Sequence, residues 1–159
     1  MQPEPLKWLW PGRVPLEKLT LVAGDPGLGK SFLTLDMAAR VSTGSGWPDD
    51  FASGQPDGSV VILNAEDDLE DTIRVRLDRA GANVKRIIAF EGMRTTDPDD
   101  GTSGRHEFSL RHGIEALASE IGSLGDCRLV IIDPISAYCG TTDTHKNSDV
   151  RGCCLPSLS

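Results

Sequence analysis

Leu19-Thr20-Leu21-Val22-Ala23-Gly24-Asp25-Pro26-Gly27-Leu28-Gly29-Lys30-Ser31 is the stretch that decides the fold. Its second part fits the pattern G-x-x-x-x-G-K-[ST], a loop whose backbone amides cradle nucleotide phosphates. Five apolar or β-favouring residues, Leu19 to Ala23, precede the loop and have the length of a strand. Ser31 to Val41 follow with helical character, Leu33, Met37 and Val41 repeating at helical spacing. A strand, a glycine loop and a helix N-terminus in that order form an anion site. A glycine turn that happens to precede a lysine is the bland alternative.

The residue types carry the chemistry. Gly24, Gly27 and Gly29 let successive N–H groups turn inward. Pro26 stiffens the loop. The residues expected to touch nucleotide run from Gly24 through Asp25, Pro26, Gly27, Leu28, Gly29, Lys30 and Ser31 to Phe32. Lys30 sets a compact positive charge against the β- and γ-phosphates, and the Ser31 hydroxyl is a ligand for Mg²⁺. ATP with Mg²⁺ is the implied cofactor pair.

Working outward, the chain alternates strands and helices. Ser59-Val60-Val61-Ile62-Leu63-Asn64 is apolar without alternation, as in a parallel strand buried on both faces. Asp67 and Asp68 open a helix with Leu69, Ile73 and Leu77 on its buried side, closed by Gly81. Arg74, Arg76 and Arg79 read as its solvated face. Ile87-Ile88-Ala89-Phe90 is a third strand. Residues 91–107 read as an exposed loop or hairpin. Ile114, Leu117, Ile121 and Leu124 mark another helix, and Leu129-Val130-Ile131-Ile132-Asp133 a fourth strand. This order predicts an α/β fold with a mostly parallel sheet between helix layers.

Met1 to Pro15 reads as an extended arm. Its Trp8 and Trp10 either belong to an edge strand capping the sheet or approach the nucleotide base or a neighbouring subunit.

Ligands of open α/β sheets bind beyond the carboxyl ends of the strands. Asp133 ends an apolar strand and suits a role in orienting Mg²⁺, against the plain reading of a strand-terminating acid. Glu66 lies just past Asn64. There it is placed to act as general base on the attacking water, with Lys30 as the catalytic cation, or it is simply an acid near a helix start.

Composition sets bounds. The 159 residues suffice for one domain with a core, and a net charge of −8 argues against a surface that coats nucleic acid generally. Cys127, Cys139, Cys153 and Cys154 match no zinc spacing, so reduced thiols in a cytoplasmic protein are expected. No apolar run reaches the length of a membrane span, and the Pro- and Trp-rich start does not read as a signal peptide.

Through these residues the chain resembles the RecA-like AAA ATPases related to the plasmid replicative helicase RepA. The resemblance rests on Leu19 to Ser31, Leu63-Asn64-Ala65-Glu66-Asp67-Asp68, Ile131-Ile132-Asp133-Pro134, His145-Lys146-Asn147-Ser148-Asp149-Val150-Arg151 and Trp8-Leu9-Trp10-Pro11-Gly12. It implies a RecA-type three-layer core and homo-oligomeric rings, often hexamers. It also implies ATP hydrolysis coupled to movement on single-stranded DNA. By match, Glu66 is the catalytic glutamate and Asp133 the Walker B aspartate. His145, Lys146 and Asn147 lie in a segment that faces DNA or a neighbouring subunit.

The likeness stops near Arg151, and residues 152–159 form an atypical tail in which Gly152 and Pro156 oppose a helix. The expectation is a single but partial domain with a truncated or frameshifted end. It would lack a later core strand and an arginine finger, which is worth roughly 10³–10⁵ in rate in related systems. Mg-ATP binding with weak hydrolysis follows. A nucleotide-dependent regulatory module and, less favoured, a P-loop kinase are the alternatives.

Overall fold

The computed structural model describes residues 5–49, 54–90, 95–96, 103–104 and 110–138. The elements in chain order are β1 (Trp8–Trp10), β2 (Val14–Pro15), α1 (Lys30–Thr43), β3 (Ser59–Asn64), α2 (Arg74–Arg79), β4 (Ile87–Phe90), β5 (Thr95–Thr96), β6 (Ser103–Gly104), α3 (Leu110–Leu124) and β7 (Cys127–Asp133). A wide helical turn, Leu69–Ile73, leads directly into α2.

The central sheet has the order β4-β3-β7, with both pairings parallel. Its middle strand explains the layers. Val60 and Ile62 face α1 and α2, while Val61 and Leu63 face α3. All four are essentially inaccessible to solvent. Each such side chain contributes about 1.5–3 kcal/mol on burial, so this one strand anchors both layers. The absence of polar alternation in β3 follows from that burial.

Ile73 and Leu77 are buried in the α1/α2 layer with Leu69 packed beside them, as the spacing predicts. Leu117, Ile121 and Leu124 pack in the α3 layer, joined by Leu110. Within residues 91–107, Thr95 and Thr96 pair antiparallel with Gly104 and Ser103, a small hairpin.

Two expectations are corrected. Leu19 to Ala23 is not a strand. Among the described residues it pairs with no neighbour, and Leu19 and Leu21 are 62% and 56% exposed. An apolar run becomes a strand only when another strand accepts its hydrogen bonds. The N-terminal arm is also not an edge strand of the sheet. β1 folds back on β2 as a separate hairpin, and Leu9 and Trp10 insert into the α1/α2 layer. The Trp10 ring stacks on Trp47 at 4.8 Å between centroids. Its Nε1 donates to Asp49 Oδ1 (2.7 Å), and Trp47 Nε1 donates to the Leu9 carbonyl (2.7 Å). Trp10 is therefore a packing residue, and Trp8 stays exposed.

The amino ends of the three sheet strands are tied together. Arg86, just before β4, bonds Asp57 (2.8 Å) and Asp126 (2.9 Å). Ser59 Oγ donates to the same Asp126 at 2.6 Å. The opposite, carboxyl edge is left for chemistry.

Candidate phosphate-binding site

The phosphate loop ends in α1. Gly27 and Gly29 both have φ of +81°, the left-handed region that side-chain-bearing residues avoid. A Cβ at either would meet nothing within 4 Å, so backbone conformation rather than space requires glycine there. Gly29 is the N-cap and supplies no side chain to the helix start. The first i→i−4 bond of α1 is donated by Leu33 N to Gly29 O (3.0 Å). The amides of Lys30, Ser31 and Phe32 precede it, and no acid occupies this first turn. Positive helix-end potential and outward N–H groups thus coincide without an internal anion to quench them.

Lys30 arches back over the loop. Its Nζ donates to the carbonyls of Gly24 and Asp25, both at 2.9 Å. This closes the loop from Gly24 to Lys30 and holds the ammonium beside the curled backbone. Gly24 to Leu28, with Asp25 and Pro26 between, are exposed, while Gly29, Lys30 and Ser31 are half-buried. Thr34 Oγ1 donates to the Ser31 carbonyl (3.0 Å) and fixes that turn.

The direction of α1 follows from contacts at its two ends. Near its C-terminus, Val41 O accepts from Gly58 N (3.1 Å), immediately before β3 begins. Near its N-terminus, the Phe32 ring lies under the Arg76 guanidinium (4.8 Å to the centroid), and Arg76 bonds Asp67 beyond the end of β3. Hence α1 runs opposite to β3, and its N-terminus stands at the carboxyl edge of the sheet.

Glu66 and Asp133 share that edge. The β3–β7 register pairs Asn64 with Asp133, and Ala65 N donates to Asp133 O (3.2 Å). Asn64 Oδ1 then accepts from Glu66 N (3.0 Å) and Asp67 N (2.8 Å), forming a tight turn that leaves Glu66 exposed. Asp68 caps the next helix, accepting from Glu70 N and Asp71 N. The capping role is thus filled by Asp68, leaving Glu66 without it. Asp133 is half-buried, and the buried phenol of Tyr138 has its pKa raised, first by burial and then by the Asp133 charge.

Among the described residues no three carboxylate, imidazole or thiol side chains converge as a metal cluster. The donor set at this edge, one hydroxyl from Ser31 and one carboxylate from Asp133, suits a hard cation that completes its shell with phosphate and water. His145, Lys146 and Asn147 lie outside the described residues, as does the tail 152–159.

Sequence reasoning missed Arg76. It reads as a solvated cation, which suits Arg74, paired with Asp78 one turn away and more than half exposed. Arg76 instead reaches nine residues back to Asp67 (2.6 Å) and across to Phe32 of α1. No local spacing rule marks such a pair.

Among the described residues no helix is long and apolar enough to cross a membrane. No curated protein and no solved structure matches the chain. The family model for the AAA domain matches residues 1–157, nearly all of the sequence. With a parallel sheet flanked by helices and a glycine loop opening α1, the chain belongs to the AAA-domain family, whose members are nucleotide-binding ATPase modules.

Proposed function

We propose that this chain binds Mg-ATP at the α1 N-terminus and is the ATPase module of a replicative helicase of the RepA-related type. The observation that carries the nucleotide reading is the coincidence at one sheet edge of the uncapped α1 N-terminus, Lys30, Glu66 and Asp133. The backbone N–H groups between Gly24 and Phe32, Pro26 excepted because it has none, would bind the phosphate oxygens, and Lys30 would move from its two carbonyl partners toward the β- and γ-phosphates. Ser31 and Asp133 would hold a magnesium ion, which would supply neutralising charge at those oxygens. Glu66 orients and deprotonates the attacking water.

The helicase assignment rests on the likeness of Ala65 to Asp68 and of His145 to Asn147 to that group. Ring assembly, often hexameric, and single-stranded DNA contact through His145, Lys146 and Asn147 belong to the same proposal, as does a cytoplasmic site of action. Slow hydrolysis by this polypeptide alone belongs to the proposal too, resting on the expected lack of an arginine finger and supported by Leu19 to Ala23, which among the described residues pairs with no strand.

Calorimetry with Mg-ATP on the wild type and Lys30→Ala tests the core of this reading. A charge about 4 Å from a phosphate is worth about 4 kcal/mol at an effective dielectric of 20. Part of that is offset by the two carbonyl bonds Lys30 gives up. The variant should therefore bind at least about 30-fold more weakly, some 2 kcal/mol. No heat with the wild type, or equal affinity for both proteins, refutes the site. Stimulation of turnover by single-stranded DNA separates the helicase module from a nucleotide-dependent switch that does not translocate.

A further inference from the structure

Arg76 is held at both ends by groups that belong to the two halves of the proposed site. Its Nη1 donates to Asp67 Oδ2 at 2.6 Å, and its Cζ stands 4.8 Å from the centre of the Phe32 ring. Phe32 lies two residues after Lys30, in the first turn of the phosphate-loop helix. Asp67 directly follows Glu66, and both amides hang on the same Asn64 Oδ1. The two groups that Arg76 joins come from different elements, α1 and the turn beyond β3.

The charged groups around it do not share this arrangement. Arg74 and Asp78 satisfy each other one helical turn apart on the solvent side. In contrast, the Arg76 and Asp67 side chains are only 28% and 31% exposed. A guanidinium is suited to this task, since its edge bonds a carboxylate while its face lies on an aromatic ring. Phe32 remains 62% exposed even under this cover, so its burial in the core is not what fixes it.

We propose that Arg76 is a positioning residue that couples nucleotide in the phosphate loop to the Asn64–Asp68 turn carrying Glu66. The inference rests on the nucleotide site proposed above. Phosphate held on the first turn of α1 restrains Phe32, and through the Arg76 contact it restrains Asp67 with Glu66 beside it, so that filling the loop steadies a Glu66 that is already exposed. The coupling is a free energy between two sites, so it must be visible as a change at one on loading the other.

Amide hydrogen exchange reads both halves separately. Saturating Mg-ATP should slow exchange at Lys30, Ser31 and Phe32, and slow Glu66 and Asp67 by about 5-fold or more, the lower end of ordinary coupling. In Arg76→Ala the loop amides should still slow on loading while Glu66 and Asp67 no longer respond. Phe32→Leu, at an exposed position, cuts the other end of the strut and should have the same effect. Arg76→Lys keeps the charge near Asp67 without the flat face and should restore only part of the response.

If the loop amides of the wild type do not respond to Mg-ATP, the nucleotide site itself is wrong. If they respond but Glu66 and Asp67 do not, the coupling is absent. An undiminished response of Glu66 and Asp67 in Phe32→Leu or in Arg76→Ala shows that Arg76 does not carry it. Loss of the Glu66 and Asp67 response in Phe32→Leu, with the amides of Lys30 and Ser31 still slowing on loading, decides in favour of the proposal even if Arg76→Ala fails to fold.

Discussion

Replacing two glycines of like backbone conformation separates strain from collision, and tests how α1 is moored. Gly44 caps α1 and Gly81 follows α2, with φ of +70° and +75°. An L side chain in this region costs about 1 kcal/mol, and the alanine's stiffer unfolded chain returns part of it. At Gly81 a new Cβ meets nothing within 4 Å, so Gly81→Ala should cost roughly 0.5–1 kcal/mol. At Gly44 the same Cβ would lie 2.7 Å from the Gln55 carbonyl oxygen and 3.3 Å from Asp57 N. Both are backbone atoms, and Gln55 N is itself bonded to Gly44 O (3.2 Å). The segment cannot swing aside as a side chain would. Overpacking of this kind adds about 1–3 kcal/mol, for a total near 2–4. Urea unfolding followed by tryptophan fluorescence is the assay, with Trp47 three residues from Gly44. At a slope of about 2 kcal/mol per molar, the midpoint should fall by about 0.4 M for Gly81→Ala and 1–2 M for Gly44→Ala. Equal shifts, or a larger one at Gly81, would refute the close approach of residues 55–57 to the end of α1.

Two further expectations follow from groups outside the phosphate site. Ser42 is fully buried, donates to Ala39 O (2.9 Å) and accepts from Asn83 N (3.0 Å), so Ser42→Ala removes the acceptor that ties the exposed Asn83 to α1. A loss of about 0.5–1.5 kcal/mol in chemical unfolding is expected, and a neutral result would mean that the Asn83 amide finds another acceptor. Asp49 has its pKa lowered, chiefly by the Trp10 indole N–H and further by Arg13. A depressed carboxylate stabilises the fold above its unfolded pKa, near 3.9, and loses that contribution as pH falls through the lower folded value. Thermal unfolding measured from pH 5 downward should thus show a steeper decline in the wild type than in Asp49→Ala, with parallel curves refuting the assignment.

The parts of this molecule that were legible in the sequence are those fixed by local chemistry or by burial on both faces. Gly27, Gly29 and Lys30 announce the loop because φ near +81° and a compact cation are needed at those positions. The strand Ser59–Asn64 announces itself because a two-faced apolar run fits only the middle of a layered sheet. The acids at strand ends were legible because parallel strands of this class end at one edge, and the Asn64–Asp133 register brings Glu66 and Asp133 there. Three features were not legible. The Trp10–Trp47 stack joins residues 37 apart in sequence, and neither it nor the fold-back of β1 onto β2 has a periodicity to reveal it. Arg76 shares its helix with two other arginines, and only tertiary placement distinguishes it. Leu19 to Ala23 has strand composition, yet composition does not supply a partner.

That last segment bears on the chemistry. The loop has two shoulders with unequal support. On the carboxyl side, α1 is embedded through Leu35, Met37, Ala38 and Val41, and its end is held by Gly58 and Gln55. On the amino side, Leu19, Leu21 and Val22 are exposed, and among the described residues Lys30 ties this shoulder through the carbonyls of Gly24 and Asp25. On the function proposed above, phosphate binding would draw chiefly on the firm shoulder, because the helix-end amides are there. Hydrolysis would ask more, since the γ-phosphate must be held to within a fraction of an ångström of the water that Glu66 is proposed to orient. A Lys30 that turned to the phosphates would release the amino shoulder it holds here. Affinity and turnover therefore depend on different halves of one loop. Any contact that pairs Leu19 to Ala23 into a sheet should raise the turnover rate far more than it tightens binding.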